Sequence, residues 1–407
     1  MIKSQLITKC LVNQQENYKI VDLGMHPFAD TFISQELLSF AEPIFPLECA
    51  LNPESGQVQV RYISNDYDRY NLYAYSYTSS NSLYSRSHWD EYYETMISRF
   101  DLKNKFIVEI GSNDGYLCNK FINNTKKVLG IDSSKEMCRY AKTQNKIKTE
   151  NLLFSYENSF KILKEYGKAD LIIANNVFNH SNDPLGFARG VNNLLSDNGI
   201  FVYELPYWKD TVQSCRFDQI YHEHISYFTV KSSYEILKEC NLEIVDVQFI
   251  DYHGGSIRVF SKKANKVLLD KKIHKLIETE KKEGLFELKT YFNFERKIQY
   301  AKFKFLQKIF KLKNENPNSI IIGVGAAAKA NTLINYYKLD NQIINYISDS
   351  SVFKQGKFTP LSRIPIVDDN IFSKFESPIA IILSWNISSS LKLKLLNINK
   401  KIKFINL

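Results

Sequence analysis

The chain has 407 residues, 44% of them apolar and 24% charged, which is enough for two or three globular domains and is unlike a disordered chain. Its 53 basic and 44 acidic residues leave a formal net charge of +9, but the cations are mostly scattered lysines with no basic stripe among aromatics, which disfavours a nucleic-acid partner. The longest largely apolar runs, such as residues 319–328, fall short of the ~20 residues of a membrane span, and the opening MIKSQLITKC has no signal-peptide core. Six scattered cysteines without a CxxC pair suit a reducing compartment. We therefore expect a cytoplasmic protein with no nucleic-acid or membrane partner.

The first hundred residues predict a small β-rich module and then a helix. In residues 1–68, "YKIVDLG" and "GQVQVRYI" alternate as half-buried strands do. Residues 70–100 are polar and aromatic, and Trp89, Tyr92, Tyr93 and Met96 fall on one helical face.

From residue 105 the chain alternates buried strands with helices, which predicts a doubly wound, mostly parallel sheet. The strands are "KFIVEI", "KVLGID", "ADLIIANNVF", "GIFVYELP" and "LEIVDVQFI". The Lys/Glu-rich residues 265–315 predict solvated connector helices, and a second α/β unit follows "NENPNS". We predict three parts: residues 1–68, 69–264 and 265–407.

The first glycine loop, "EIGSNDG", ends a strand, and Asp132 ends the next strand 21 residues beyond Gly111. A carboxylate there can accept hydrogen bonds from both hydroxyls of a ribose. The loop is not GxGxxG, and a short polar loop without a diphosphate cradle favours S-adenosylmethionine over NAD. "NNVFNH" ends the fourth strand, where Asn175 and Asn176 would either face the reacting methyl group or form a turn.

The second glycine loop follows a strand and opens a helix, and its Gly323, Gly325 and Ala328 fit GxGxxA. Asp349 lies 24 residues beyond Gly325. Lys329 stands in the first turn of the helix, beside its positive end, which is unfavourable unless an anion binds there. The loop therefore predicts a phosphate site, whether or not NAD belongs in it.

A third group of polar residues lies in "FDQIYHEHISYF", residues 217–228. His222 and His224 would share a face on a strand, but neither H-E-x-x-H nor a cysteine cluster supports a metal. A histidine general base with a carboxylate that orients it fits better, because the ordinary histidine pKa of ~6.5 allows proton uptake near neutral pH.

These segments together resemble the sugar C-methyltransferases, which use S-adenosylmethionine to methylate a carbon of a nucleotide-linked deoxy-keto-sugar. The resemblance runs in order through nearly the whole chain and is most specific at "YHEH" and at "GAAAKANTLINYY" followed by "KQG". It implies a class I methyltransferase Rossmann-like sheet, a small β-rich N-terminal module that holds zinc, and a C-terminal Rossmann-like α/β domain for the nucleotide sugar. The module of this chain departs from that pattern, because Asn13 follows Cys10 by three and Asn52 follows Cys49 by three. We interpret Cys10 and Cys49 as remnants of the zinc site and expect no zinc, even if His26 helped.

The resemblance also assigns roles to individual residues. His224 is implied as the base with Glu223 as its support, while Tyr221, His180 and Tyr75 (or Tyr77) would hydrogen-bond the sugar and the developing oxyanion. The expected contacts to S-adenosylmethionine are Glu109, Gly111, Asn113, Asp132, Asn175 and Asn176. The expected substrate contacts are Tyr77, Ser79, Glu204, His222, Lys329 and Asn331.

The function that follows is methyl transfer to a carbon next to a ketone, through an enolate formed by a base. The same scaffold could instead methylate oxygen or nitrogen. Two alternative functions come from other classes of protein. One is an NAD-dependent sugar-nucleotide reductase, and the other is a sugar-nucleotide-binding protein without activity. We expect a monomer or homodimer.

Overall fold

The computed structural model describes residues 2–71, 78–80 and 82–405. The N-terminal part contains two antiparallel sheets. Its strands are β1 (Ser4–Leu6), β2 (Tyr18–His26), β3 (Phe45–Asn52), β4 (Gln57–Val60) and β5 (Tyr62–Ser64). β1 pairs with β5, while β2, β3 and β4 form a meander. A short strand from much later in the chain, Ser226–Tyr227, pairs with the edge of β4 and so ties the "YHEH" segment to this module.

Two helices, α1 (Asp66–Asn71) and α2 (Leu83–Arg99), lead into the central sheet. On α2 the predicted face is buried at Trp89, Tyr92 and Met96. The further helices of this part are α3 (Tyr116–Phe121), α4 (Lys135–Gln144), α5 (Tyr156–Tyr166), α6 (Pro184–Leu194), α7 (Trp208–Gln213) and α8 (Val230–Lys238). Its strands are β6 (Phe106–Ile110), β7 (Lys127–Asp132), β8 (Thr149–Asn151), β9 (Ala169–Asn175), β10 (Leu195–Pro206), β11 (Ser226–Tyr227), β12 (Leu242–Ile250) and β13 (Ser256–Lys263).

The central sheet has seven strands in the order β12-β13-β10-β9-β6-β7-β8, and β13 runs antiparallel to both of its neighbours. Every residue of β6 is buried, as a strand covered by helices on both faces requires. Successive crossovers leave in opposite directions from β6 and β9, and ligands bind at such a switch point. The predicted fold class, a Rossmann-like methyltransferase sheet with a β-rich module and a second α/β unit, is confirmed.

The C-terminal unit is a five-stranded parallel sheet in the order β16-β15-β14-β17-β18. The elements from the connector onward are α9 (Lys271–Lys282), α10 (Leu288–Glu315), β14 (Ile321–Val324), α11 (Ala328–Tyr337), β15 (Tyr346–Ser348), β16 (Ile366–Val367), β17 (Ile379–Ile382), α12 (Ser388–Ile398) and β18 (Lys403–Ile405). Among the described residues, no helix combines the length and the apolarity needed to cross a bilayer.

The connector helices are more than the predicted solvated spacer. Tyr291, Phe294 and Ile298 of α10 belong to one apolar cluster that continues into the N-terminal sheet and the C-terminal unit. On α9, Glu280 is fully buried and accepts hydrogen bonds from the backbone N–H groups of Val230 and Lys231, at 2.6 and 3.0 Å. The long helices therefore join the N-terminal meander, the central part and the C-terminal unit, which the Lys/Glu-rich composition of their outer faces concealed.

Candidate active site

Two cavities open at the carboxyl ends of the central strands and share Asn176 and His180 in their walls. The first is lined by the loop after β6 and by the ends of β7 and β9. The second lies between the "YHEH" segment and the loop that opens α11. We call them the cofactor cavity and the substrate cavity. Because they meet at Asn176 and His180, ligands in the two cavities can come into contact there.

The backbone at Gly111 lies against the cofactor cavity and leaves no space for a side chain. Its φ is +71°, and a Cβ there would stand 2.8 Å from Cβ of Val177. Glu109 also lines this cavity, and within the described part of the chain its buried Oε2 has no hydrogen-bond partner. Burial raises the pKa of this carboxyl to about 8. A carboxyl with an unused oxygen suits a polar ligand, whereas the glycine is required by its positive φ and by the packing of Val177.

Asp132 fixes the loop that forms the floor of the cofactor cavity. Its Oδ2 accepts the N–H of Asn113 and its Oδ1 accepts the N–H of Ser134, each at 2.8 Å. Burial raises its pKa to about 6. Each carboxylate oxygen keeps a second lone pair, so Asp132 can still accept ribose hydroxyls. Asn175 also lines this cavity, so all six of the expected contacts to S-adenosylmethionine lie there.

Ser79 lies on the cofactor cavity, whereas the sequence predicted a substrate contact. Its Oγ donates to Oδ1 of the fully buried Asp114 at 2.7 Å, and Oγ of Ser80 donates to the other oxygen at 2.6 Å. The N–H of Ser79 donates to Oδ1 of Asn113 at 2.9 Å, so the segment is pinned over the cofactor loop. Tyr75 and Tyr77 lie outside the described residues.

His224 and Tyr221 form a hydrogen-bonded pair on the wall of the substrate cavity. Nδ1 of His224 lies 2.9 Å from the carbonyl oxygen of Gln219, and Nε2 lies 2.5 Å from the hydroxyl oxygen of Tyr221. A carbonyl only accepts, so Nδ1 carries the proton and Nε2 is the acceptor atom. Burial lowers the pKa of His224 to about 3, so the ring is neutral but is a weaker base than the ordinary pKa of ~6.5 led us to expect. The ring of His180 is 5.1 Å away between centroids.

Glu223 does not orient His224, because the carbonyl of Gln219 already holds Nδ1. Instead Oε1 of Glu223 accepts the N–H of Asp30 at 3.1 Å. Its buried Oε2 has no hydrogen-bond partner among the described residues, although the side chain lines the substrate cavity. Burial raises the pKa of this carboxyl to about 7. The arrangement gives the cavity a carboxyl that can accept or donate a hydrogen bond near neutral pH.

Three further predicted substrate contacts lie away from both cavities. His222 is 2% exposed and sits between the carbonyl oxygens of Pro27 and Pro46, at 3.3 and 3.2 Å, because its segment folds as a turn and not as a strand. Asn331 donates to the carbonyl of Ala29 at 2.6 Å, where α11 packs on the N-terminal module. Both are therefore structural contacts between parts of the chain.

Glu204 is the third of these residues and is fully buried within the sheet. It lies 2.6 Å from Nε2 of His88 and accepts a hydrogen bond from Nε of Arg258 at 2.8 Å. Burying a carboxylate costs free energy unless it has such partners, and His88 and Arg258 are the partners of the Glu204 carboxylate. Glu204 thus joins α2 to β10 and β13.

Lys329 lines the substrate cavity, as His224 does. Its Nζ donates to Oδ1 of Asn386 at 2.5 Å, and burial lowers its pKa to about 8. The backbone of residues 325–328 borders the cavity, and no side chain caps the start of α11. Asp349 accepts the N–H groups of Ala326 and Ser351, at 2.7 and 2.8 Å, as Asp132 does in the first unit.

Sequence reasoning missed several residues of the substrate cavity. Asp30 comes from the N-terminal module, Ser85 from α2, and His253 from the turn between β12 and β13. Lys354 adds a second buried cation, and its Nζ donates to the carbonyl of Ala326 at 2.7 Å. A sequence signal existed for His253, which precedes a Gly-Gly pair, and for Lys354, which opens the "KQG" motif, but there was none for Asp30 or Ser85.

Of the two cysteines that we interpreted as remnants of a zinc site, only Cys10 lies beside the turn that contains Asn52. Cys10 lies 3.4 Å from Oγ of Ser55, and Asn13 donates to Oδ1 of Asn52 at 3.1 Å. These four residues lie in two turns with x-x spacing, and within the second turn Oγ of Ser55 donates to Oδ1 of Asn52 at 2.9 Å. Cys49 lies instead in the apolar cluster under the sheet.

The side chains of this cluster do not fit zinc. One thiol, two amides and one hydroxyl differ from the thiolate, imidazole and carboxylate ligands that zinc takes. In the described part of the chain, no group of three or more His, Cys, Asp or Glu side chains is placed to hold a metal ion. The two turns repeat one backbone pattern, with positive φ at Gln14 (59°) and Gly56 (69°). Hydrogen bonds therefore connect the turns where the family expectation has metal.

Comparisons with known proteins bear on the reaction. A family model described as "C-methyltransferase C-terminal domain" matches residues 251–406, and one described as "Methyltransferase domain" matches residues 85–247. C-methyltransferase NovU of Streptomyces niveus is 26% identical over 386 residues, which cover 93% of this chain and 90% of that protein.

Solved structures of methyltransferases are also similar to part of the chain. An S-adenosylmethionine-dependent methyltransferase from Clostridium acetobutylicum ATCC 824 is 15% identical, with a TM-score of 0.36. The match covers 49% of this chain and 96% of that one. Magnesium protoporphyrin IX methyltransferase (ChlM) from Synechocystis PCC 6803 with bound SAH is 12% identical, with a TM-score of 0.36. The match covers 44% of this chain and 83% of that one.

Proposed function

We propose that this chain, which belongs to a C-methyltransferase family and is an S-adenosylmethionine-dependent methyltransferase, methylates a carbon next to the ketone of a nucleotide-linked deoxy-keto-sugar. The observation that carries the proposal is the junction of the two cavities, where a neutral histidine with a defined acceptor nitrogen stands beside the wall they share. A carbon nucleophile needs such a base, because a C–H bond next to a ketone is only weakly acidic.

The cofactor cavity has the features that S-adenosylmethionine requires. Gly111 lines it without a side chain, Asp132 offers acceptors for a ribose, and Glu109 has an oxygen free to meet a polar group. When bound, S-adenosylmethionine supplies an electrophilic methyl group. Glu109 and Asp132 would hold it in the cofactor cavity, which meets the substrate cavity at Asn176 and His180.

We assign the proton transfer to Nε2 of His224. It takes the proton from the substrate carbon, and the electron pair of the broken C–H bond moves to the ketone oxygen. Before the transfer the Tyr221 hydroxyl turns its hydrogen from Nε2 to the ketone oxygen, which frees the Nε2 lone pair for the proton and stabilises the developing oxyanion. The carbonyl of Gln219 holds the ring in the required tautomer throughout. His180 lies beside this pair, where it can contact the sugar.

The part of the substrate cavity at the start of α11 suits an anionic group. Lys329 and Lys354 are buried there, and the uncapped start of α11 adds its positive end. A sugar linked to a nucleoside diphosphate would place its phosphates in this part of the cavity and its ketone near His224. Glu223 would then meet a sugar hydroxyl through Oε2.

Incubation with S-adenosylmethionine and a panel of nucleotide 4-keto-sugars tests the proposal. We expect a mass gain of one methyl group and an NMR signal of a methyl group bonded to carbon. A methyl group on oxygen or nitrogen would overturn C-methylation and leave the alternative transferase. No product from any keto-sugar, with turnover of another class of acceptor, would overturn the substrate class.

A further inference from the structure

Trp385 lies where the C-terminal unit meets the central part of the chain, in the short helix Trp385–Ile387. Its Nε1 donates to Oδ2 of Asp218 at 2.5 Å. Asp218 is 3% exposed and belongs to the short helix Phe217–Gln219 that precedes the "YHEH" segment. The indole of one domain therefore partners a buried carboxyl of the other.

Two cations contact the same indole ring. The guanidinium carbon of Arg216 is 3.9 Å from the ring centroid, and Nζ of Lys329 is 4.6 Å from it. These are cation–π distances, and desolvation strengthens the attraction for the buried Lys329. Lys329 also donates to Asn386, the residue after Trp385. The position of the Lys329 ammonium thus depends on Trp385 and on its neighbour in the chain.

The outer edge of the indole packs on the turn His253–Gly255. A Cβ at Gly254 would stand 2.4 Å from Cη2 of Trp385, closer than real Cβ contacts come. His253 in this turn lines the substrate cavity, and its carbonyl accepts a hydrogen bond from Gln219 at 2.7 Å. The carbonyl of Gln219 in turn holds Nδ1 of His224.

We propose that Trp385 is a positioning residue that sets the spacing between Lys329 and the His224–Tyr221 pair. The indole contacts Lys329 directly and reaches the base through two routes, Asp218 beside Gln219 and Gly254 beside His253. This proposal rests on the proposed function, in which one substrate spans from Lys329 to His224. Trp385 would then govern how tightly that substrate binds, and the cofactor cavity would not depend on it.

The first test is Trp385→Phe, which removes the indole N–H and the outer ring atoms. We expect KM for the nucleotide sugar to rise at least ~10-fold, because a cation that is no longer held in place binds an anion less tightly. The affinity for S-adenosylmethionine should stay within ~2-fold and kcat at saturation within ~3-fold. Leu393→Ala, at an exposed position of α12, is the matched control and should leave all three values unchanged.

The second test is Gly254→Ala in the wild-type and Trp385→Phe backgrounds. The strain of alanine at φ +86° is common to both backgrounds and cancels. The added methyl group meets Cη2 only where the indole is present, so we expect a KM increase of ~10-fold in the wild type and less than ~3-fold in Trp385→Phe. Equal increases in both backgrounds would overturn the proposal.

Hydrogen exchange gives a readout that needs no substrate. In Trp385→Phe, the amides of residues 216–220 and 328–332 should exchange faster, while those of β6 and β7 keep their rates. Unchanged exchange in both segments, or an equal loss of cofactor and substrate binding, would overturn the positioning role. If the wild type methylates no nucleotide sugar but the exchange effect is present, the proposed function fails and the contact of Trp385 with both domains stands.

Discussion

The hydroxyl oxygen of Tyr221 lies 2.5 Å from Nε2 of His224, and the carbonyl of Gln219 occupies the other ring nitrogen at 2.9 Å. The pair therefore has one tautomer and one acceptor atom, and it faces the substrate cavity next to the shared wall.

Replacing His224 tests its role as the base. His224→Ala should lower kcat at least ~100-fold while the affinity for S-adenosylmethionine stays within ~2-fold, because only proton removal is lost. Tyr221→Phe should lower kcat less, by ~10-fold, since it keeps the base and loses a hydrogen bond to the oxyanion. Single-turnover kinetics and calorimetry measure the two effects. Near-normal turnover of His224→Ala would remove it from this role.

Asp132 and Asp349 form a matched pair for testing the cofactor cavity, because each accepts two backbone N–H groups in the same way. Asp132→Asn should weaken S-adenosylmethionine binding by ~10–100-fold, as the loss of charge-assisted hydrogen bonds to a ribose predicts. Asp349→Asn should leave that affinity within ~2-fold, and calorimetry distinguishes the two variants. Equal weakening would argue against the assignment of the cavities.

The cluster of Cys10, Asn13, Asn52 and Ser55 predicts a module that folds without metal. Metal analysis of the purified protein should find less than ~0.1 equivalent of zinc, and EDTA should not change the melting temperature. The triple variant Asn13→Cys, Asn52→Cys, Ser55→Cys supplies four thiols with Cys10 and should bind ~1 equivalent. Adding Cys10→Ala to the triple variant should weaken that binding strongly, whereas adding Cys49→Ala should not. About one equivalent of zinc in the wild type would contradict this account.

Glu280 should stabilise the fold in a pH-dependent way. Glu280→Ala leaves the buried N–H groups of Val230 and Lys231 without their acceptor, which should lower the free energy of unfolding by ~2–4 kcal/mol. Burial raises its pKa from 4.5 to about 7, so the folded state binds its proton more tightly than the unfolded state. Its contribution is therefore complete below pH ~4.5 and is partly lost as pH rises through 7.

Denaturant unfolding at pH 5.5 and pH 8 checks this sign. The difference between the wild type and Glu280→Ala should be larger at pH 5.5. Glu278→Ala, two positions earlier on α9, should cost less than ~0.5 kcal/mol at both values. A larger difference at pH 8 would show that the charged form is the one the fold favours.

The sequence by itself determined the elements and the local motifs. Buried apolar strands that end in glycine and carboxylate, such as β6 with Gly111 and β7 with Asp132, encode the Rossmann-like sheet and the cofactor loop within a few residues. The "YHEH" segment led to the prediction that His224 and Tyr221 belong to the site, because aromatic and titratable residues are concentrated in one short stretch.

The tertiary structure decided which of those polar residues meet and which are occupied elsewhere. His222 and Glu204 are as polar as their neighbours, yet the packing of Pro27 and Pro46 encloses one, while His88 and Arg258 partner the other. The sequence analysis expected Cys49 to lie with Cys10, but the structure has Ser55 at that place. The backbone turns, and not the residue types, set which side chains converge there. Such contacts join residues far apart in the chain, and local periodicity carries no information about them.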